Sequence, residues 1–304
     1  NGWADALLQG KDSLRARLNV EDLYAESALF APYLPTGNKV GTILNKLSSV
    51  RAKGEVAYNR GEMKGELTAK SPMGDIMLSG NGHTNGRVDA NLKAQALQLG
   101  ELLEEKDLGL VSLDVKAKGH ISKSPTLSLS GRIPELDYKG YRYRNIEIDD
   151  AQIRPTSYAV RLSSGDPNAS FTVDADADLA RHTYDVKADI IRLAPNTLNL
   201  TDRYVGTQFA GTLFASLTGT NLSNLDGVVQ LNDLAMTDST GTYRPGDLHL
   251  TSRPRNNVRH LVFISPFLEA QVEGDFDPRV VVSQINRMVS NYLPTRGNEP
   301  PAVN

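Results

Sequence analysis

Val88-Asp89-Ala90-Asn91-Leu92-Lys93-Ala94 alternates apolar and polar residues throughout, and this period of two decides the fold. Successive side chains of a β-strand point to opposite faces, so such a segment presents one dry row and one wet row. The clearest further examples lie at residues 111–118, 126–130, 171–179 and 268–273. We therefore predict a mainly β protein whose strands, between Gly54 and Phe276, each have one apolar face.

Turn-forming residues separate these strands at short intervals. They are Asn59-Arg60-Gly61, Gly80-Asn81-Gly82, Asn85-Gly86, Ser164-Gly165-Asp166-Pro167 and Thr240-Gly241. Parallel strands would need crossovers of helix length between them, and most of these intervals are too short for that. The sequence thus predicts an antiparallel sheet.

Helical periodicity is confined to three places. It appears in residues 41–50, in a short turn at 99–105, and in a stripe at 281–292 that ends at Pro294. We predict an N-terminal segment with short helices over residues 1–50, a repetitive β-groove over 51–278, and a C-terminal helix with a loose tail over 279–304.

Composition excludes several classes of function. The 304 residues include 33 Lys+Arg and 36 Asp+Glu without long charge blocks, so no nucleic-acid partner is expected. Cysteine is absent, which removes disulfides and thiol chemistry, and the chain has no signal peptide or membrane-length apolar run. It reads as a piece of a longer protein.

No catalytic or metal site is predicted. The five histidines are scattered, and no nucleophile elbow occurs. Asp174, Asp176 and Asp178 alternate with apolar residues, which indicates the wet face of a strand and not a calcium loop. We expect no enzymatic activity, no metal and no cofactor.

A weak internal repeat relates residues 88–179 to residues 184–276. Each copy begins with an alternating strand, continues through a Leu-rich link, at residues 97–103 and 193–200, and has a strand that ends in Gly119 or Gly219. Stacked repeats of this kind share a continuous apolar surface.

These segments resemble the TamB/AsmA-like envelope proteins, most closely TamB-type sequences from the Bacteroidetes. The similarity lies in the order and spacing of Leu97-Gln98-Leu99-Gly100-Glu101-Leu102-Leu103, Leu108-Gly109 and Val115-Lys116-Ala117-Lys118-Gly119. It extends to residues 143–149 and 184–190, and to Tyr33-Leu34-Pro35, which is echoed by Tyr292-Leu293-Pro294. The resemblance covers nearly the whole chain.

The resemblance implies a curved antiparallel sheet folded into an elongated β-taco with an apolar trough. It implies a periplasmic location in a full-length protein that an N-terminal helix anchors in the inner membrane. The family's implied role is to carry phospholipid to the outer membrane. A TamA-type outer-membrane barrel is a further implied partner, through regions outside this fragment.

The residues themselves also favour a trough. A sheet with one apolar face must bury it against another layer, itself or a ligand, and few helices are available to cover it. The predicted lipid-binding residues come from the apolar rows. They are Leu92, Val111, Leu113, Val115, Leu127, Leu129, Phe171, Val173, Val186, Ile190, Phe209, Leu213, Leu217, Val229 and Leu231. We predict that Tyr138, Tyr141 and Tyr143 lie at a strand edge or rim.

Two alternatives stay open at this point. The chain could be a structural or chaperone module that assists outer-membrane protein assembly by accepting client strands at its sheet edges. It could also be a closed, dry β-sandwich or solenoid that acts as a spacer. In either alternative the apolar residues listed above would be core or support, not a lipid path.

Overall fold

A computed structural model describes residues 2–7, 14–26, 46–221, 224–255 and 258–274. The predicted fold class is confirmed, because the protein is mainly β and its strands form a curved antiparallel sheet. The chain divides into two compact units, residues 1–174 and 175–304. The boundary falls inside β11 and within the segment predicted as one β-groove.

The first unit contains β1 to β10 and most of β11. Their bounds are Gly2–Leu7, Arg15–Glu26, Ser49–Asn59, Glu62–Ser71, Gly74–His83, Arg87–Gln98, Leu108–His120, Thr126–Tyr138, Tyr141–Arg154, Ser157–Asp166 and Ala169–Asp178. Each strand from β1 to β10 pairs antiparallel with the next one in the chain. The predicted antiparallel sheet therefore takes the form of a meander in this unit.

The second unit contains β12 to β18. Their bounds are Thr183–Leu193, Gln208–Thr218, Asp226–Asp238, Gly241–Tyr243, Leu248–Arg255, Val258–Ile264 and Glu269–Gly274. Pairing is again antiparallel, and β14 pairs with both the short β15 and β16. The long β14 thus continues its ladder past the short hairpin strand.

The short helix predicted at residues 99–105 is present as α1, Leu99–Leu103. Within residues 1–50, the described segments form β1, β2 and the start of β3, and Lys46 is helical. Ser49 and Val50, at the end of the segment predicted as helical, pair with β2. Residues 41–45 of the helix predicted at 41–50, and all of residues 279–304, lie outside the described residues.

Most predicted turns are confirmed. Asn59-Arg60-Gly61 joins β3 to β4, and Asn85-Gly86 joins β5 to β6, where the Gly86 N–H donates to the His83 carbonyl at 2.8 Å. Residues 80–82 were predicted as a turn and instead lie inside β5, paired with both β4 and β6. Gly80 and Gly82 therefore lie in the interior of a strand, where a glycine permits a neighbouring backbone to approach closely or the strand to bend.

One group of side chains, which we call the capped cluster, forms a small core in the first unit. It consists of Leu47, Ala94, Leu97, Leu102 and Val111, which are 3–9% exposed. Leu102 comes from α1, and Gly100 lets α1 lie close to β7, since a Cβ at Gly100 would be 2.0 Å from the Leu108 carbonyl oxygen. The helix therefore covers one margin of the sheet.

Lys46 ties the chain before β3 to the end of α1. Its Nζ donates to the Glu101 carbonyl oxygen at 2.9 Å and pairs with the Glu104 carboxylate at 2.8 Å. Hydrogen bonding to Lys46 lowers the pKa of Glu104 below its ordinary value. A cation at a helix C-terminus is favourable because the last carbonyls point toward it.

Bulges and one glycine bend the strands. Register shifts interrupt β6 between Ala94 and Leu97, and β12 between Ile190 and Leu193. These two bulges occupy matching places in the predicted repeat, each just before its Leu-rich link. Gly131 has φ +146°, and a Cβ there would lie 2.2 Å from the Asp114 carbonyl oxygen. Bulges and glycine kinks increase local twist and curvature.

Candidate functional site

The strand register of the first unit brings apolar residues side by side on one face of the sheet. Residues directly opposite each other in a ladder share a face. From β2 to β10, one such row reads Val20, Gly54, Leu67, Leu78, Leu92, Val115, Gly131, Ile148 and Leu162. The next row reads Leu18, Val56, Gly65, Gly80, Ala90, Ala117, Leu129, Ala151 and Val160. Both rows cross nine strands without a polar residue.

Part of this face stays accessible to solvent. We call six large apolar side chains on β2 to β6 the open rows. They are Leu18, Val56, Met63, Leu67, Leu78 and Leu92, each 39–48% exposed. Soluble proteins seldom expose contiguous large apolar side chains unless the surface meets a ligand or partner. The open rows are therefore the strongest candidate for a binding surface.

The opposite face of the same strands is charged and hydrated. The Lys93 ammonium lies 3.0 Å from the Asp114 carboxylate, and Lys116 and Lys118 lie 3.9 and 3.8 Å from the Asp89 carboxylate. Hydrogen bonding to Lys93 lowers the pKa of Asp114 below its ordinary value. Exposed pairs of this kind stabilise little, and their main consequence here is to keep this face wet.

Five of the predicted lipid-binding residues lie on the apolar face of the first unit. Leu92 and Val115 are direct cross-strand partners, and Leu127 and Leu129 follow on β8. Leu113 pairs with Ala94 and packs against the capped cluster. Val111 differs, because it is 3% exposed inside that cluster. Its environment is that of a core residue.

Phe171 and Val173 lie on β11 and are half-buried. They alternate with exposed Thr172 and Asp174, and the Asp174 carboxylate lies 3.4 Å from the Arg161 guanidinium on the wet side of β10. Because neighbours on a strand point to opposite faces, Phe171 and Val173 point away from Arg161. Asp174 and Asp176 are exposed, as predicted for the wet face of a strand.

The second unit also brings its predicted residues together. Val186, Ala215 and Val229 lie side by side across β12 to β14, and Leu213 pairs with Leu231. Leu217 and Ile190 extend the same face beside Tyr184 and Gly211. Phe209 pairs with Leu193 past the bulge, and its ring meets Tyr204 edge-on at 5.2 Å. All seven predicted residues here are half-buried.

Sequence reasoning missed most of the open rows. Of the six side chains, only Leu92 was predicted. The reason lies in the sequence of β3 to β5, where Gly54, Gly65 and Gly80 interrupt the apolar alternation, and where Ile76-Met77-Leu78 is apolar without a break. The sequence does contain a signal for these strands, because apolar residues lie two positions away from the glycines, as Met63 and Leu67 do on either side of Gly65.

Three tyrosines mark the margin of this face at the β8–β9 hairpin, and all are half-buried. Tyr138 pairs with Tyr141, and the rings of Tyr141 and Tyr143 meet edge-on at 4.9 Å. The Tyr141 hydroxyl donates to Asp166 at 2.7 Å. Burial, and secondarily this hydrogen bond, raises the pKa of Tyr141 above its ordinary value.

Asp166 anchors the hairpin turn between β10 and β11. It is 1% exposed, and its carboxylate also accepts the backbone N–H groups of Arg144, at 3.0 Å, and Asn168, at 2.8 Å. A buried carboxylate with this many donors is fully satisfied. We read it as a structural element and not as a catalytic group.

Within the described residues, no group of three or more acidic or histidine side chains could hold a metal ion. Among the helices in that part of the chain, none has the length and apolar character needed to cross a bilayer. Comparison of the chain with protein-family models, curated proteins and solved structures finds no significant match.

Proposed function

We propose that this chain is a non-enzymatic lipid-binding β-groove, in which the apolar sheet face holds acyl chains while phospholipid passes between the two membranes of a bacterial envelope. The observation that carries the proposal is the exposure of the open rows, whose six large apolar side chains are 39–48% exposed. The resemblance to the TamB/AsmA-like proteins supports the choice of phospholipid over other apolar cargo.

The energetics of apolar burial suit an acyl chain that slides along the open rows. Burial of a methylene group stabilises a complex by about 0.8 kcal/mol at most, and an acyl chain lying on an open face buries only part of its surface. The interaction is non-directional, so neighbouring positions along the rows have similar free energies. A ladder of similar side chains on successive strands therefore gives a path without a deep trap.

The groups on this face support binding without catalysis. Apolar side chains and glycines make up both rows, whereas the described carboxylates with lowered pKa values, such as Asp114 and Asp137, have local partners that account for the shift. General acid–base chemistry would need a positioned titratable group beside the cargo. The rows themselves provide none.

The compartment and partners belong to the same proposal. We infer a periplasmic location, in a longer protein anchored to the inner membrane, and a TamA-type barrel as a partner of regions outside this fragment. Both inferences draw on the sequence resemblance. They would be tested by fractionation of cells that express the full-length protein.

Two adjacent residues of β5 offer a matched test. Leu78 is 44% exposed in the open rows, and Met77 is 45% exposed on the opposite, charged face beside Lys93. Titration of the delipidated chain with a fluorescent fatty acid should show binding that Leu78→Asp weakens at least about tenfold, since a charge would have to be desolvated against the acyl chain.

Met77→Asp is the control and should bind like the parent chain. Equal binding by all three proteins would contradict the proposal. A charged substitution at Leu113, another of the predicted lipid-binding residues, is less informative because Leu113 packs against the capped cluster. Its replacement by Glu would disturb folding as well as binding.

The chaperone alternative rests on the resemblance and not on a particular contact in the described residues. It predicts that an unfolded outer-membrane protein, and not a fatty acid, saturates the chain. Competition between the two ligands in the same titration separates these functions. The spacer alternative predicts that neither binds.

A further inference from the structure

A concave surface of the first unit lies on the charged side of the sheet. It is a cavity of about 560 Å³ between the segment that follows α1 and the β8–β9 hairpin, lined in part by Lys106, Leu108, Asp137, Gly140, Arg142 and Arg144. Cavities of this size accommodate small ligands. Its lining is basic at three positions, unlike the apolar rows.

Arg142 is held in place at the side of this cavity. Its Nε and Nη2 atoms donate to the two oxygens of Asp137, at 2.6 and 2.9 Å, and this hydrogen bonding lowers the pKa of Asp137. The bidentate pair fixes the plane of the guanidinium. The Nη1 group lies outside this pair and is available to a ligand.

Lys106 and Arg144 supply further positive charge to the cavity lining. Neither forms an ion pair with any residue in the described part of the chain, although both line the cavity. The backbone N–H of Arg144 donates to buried Asp166, which fixes where its side chain begins. Asp107 and Asp137 are the carboxylates of the lining, so three cations face two anions.

From this arrangement we propose that the cavity binds a phosphate group, carried by a soluble phosphate ester or by a phospholipid headgroup. Arginine and lysine side chains that line one cavity, from one turn and one strand, provide several donors for the oxygens of a phosphate. The site goes beyond the proposed acyl-binding function, because it lies on the other face of the sheet. Tyr143 pairs with Leu136, which pairs with Val111 of the capped cluster, so Tyr141 and Tyr143 share the apolar face and the alternating Arg142 and Arg144 lie on the opposite one.

The test is an NMR titration of the isotope-labelled full chain with glycerol 3-phosphate and, separately, with dihexanoyl phosphatidylglycerol below its micelle concentration. The signals to follow are the Arg142 side-chain Nε–H and the Gly140 amide. Saturable shifts with glycerol 3-phosphate would support the site with a soluble ester as sufficient ligand. Shifts only with the short-chain lipid would support it with a headgroup as ligand.

Lys106→Gln combined with Arg144→Gln should weaken binding at least about tenfold, since charge-assisted hydrogen bonds are lost. Both changes spare the Asp137–Arg142 pair and the backbone bond to Asp166, so the fold is retained. Lys123→Gln, in an exposed turn, is the matched charge control and should have no effect. Absence of saturable shifts with both ligands, or equal loss in the control, would overturn the proposal.

Leu78→Asp separates this site from the apolar face. It should leave the glycerol 3-phosphate titration unchanged while it weakens fatty-acid binding. Absence of saturable shifts with both phosphate ligands would therefore reject the cavity as a site and leave the acyl-binding proposal standing, and failure of the fatty-acid titration alone would do the reverse.

Discussion

The capped cluster and the open rows use the same kind of residue on the same sheet with opposite results. Ala94 lies two residues beyond Leu92 on β6 and points to the same face, yet Ala94 is 7% exposed and Leu92 is 39% exposed. The difference comes from α1 and Leu47, which pack over one margin of the face only. Burial in this protein is thus decided by what covers a row, and not by the row's own composition.

This contrast separates folding from binding. Side chains under α1 gain their free energy when the chain folds, because they leave water at that step. The side chains of the open rows stay partly exposed on folding, so under the proposed function much of their free energy of burial would be gained when a ligand binds. Substitutions in the two regions should accordingly affect different measurements, and this is the basis of the predictions that follow.

The largest expected effect is that of a charge placed in the capped cluster. Val111→Asp should lower the free energy of unfolding by at least about 4 kcal/mol, because an unpaired carboxylate would be buried among Leu97, Leu102 and Leu136. Leu78→Asp should cost under about 1 kcal/mol, since its side chain can reach water. Urea unfolding followed by circular dichroism measures both. Similar losses in the two variants would break the comparison.

Truncation of a leucine to alanine should show the same contrast between the two regions, with a smaller loss of unfolding free energy. Leu102→Ala removes the main contact between α1 and the sheet and should cost about 2–4 kcal/mol. The matched change Leu92→Ala, in the open rows, should cost under about 1 kcal/mol. The measurement is the same unfolding experiment, and a larger loss for Leu92→Ala would mean that the open rows are part of the folding core.

The tyrosines at the β8–β9 hairpin test whether residues outside the capped cluster also contribute to folding stability. Tyr141→Phe removes a donor from buried Asp166 and should cost about 1–3 kcal/mol. Tyr143→Phe is the control, because the Tyr143 hydroxyl has no hydrogen bond within the described residues, and it should be nearly neutral. Thermal unfolding of both variants checks this. An equal effect would assign the loss to the rings and not to Asp166.

The smallest effect concerns pH. Folding lowers the pKa of Asp137 through Arg142, so this pair adds stability above the ordinary aspartate pKa of about 3.9 and loses it as pH falls through the lower folded value. Asp137→Asn should therefore cost under about 1 kcal/mol near neutral pH, and the difference from the parent should shrink below about pH 4. Unfolding at several pH values measures it, and a difference that grows on acidification would contradict the assignment.

Much of the fold was predictable from local pattern. The alternation in residues 88–94 and 111–118 gave β6 and β7, and Asn85-Gly86 gave the turn before β6. The short helix was predictable because Leu99, Leu102 and Leu103 lie at helical spacing. These signals are local, so a single sequence contains them.

The site was less predictable because exposure depends on non-local contacts. Val111 and Leu92 have the same local pattern, and only the packing of α1 and Leu47 makes the first a core residue. The strands β1 and β2 were missed because residues 2–7 and 15–26 are too mixed to show a clear period, and their pairing with β3 determines them instead. Glycines hid Leu67 and Leu78 for the reason given above.

The most direct test of the acyl-binding face is site-specific photo-crosslinking in cells that express the full-length protein. A photo-reactive amino acid at position 78 should capture phospholipid, and the same group at position 77, equally exposed on the other face, should not. Lipid captured equally at both positions, or only polypeptide at position 78, would contradict the account.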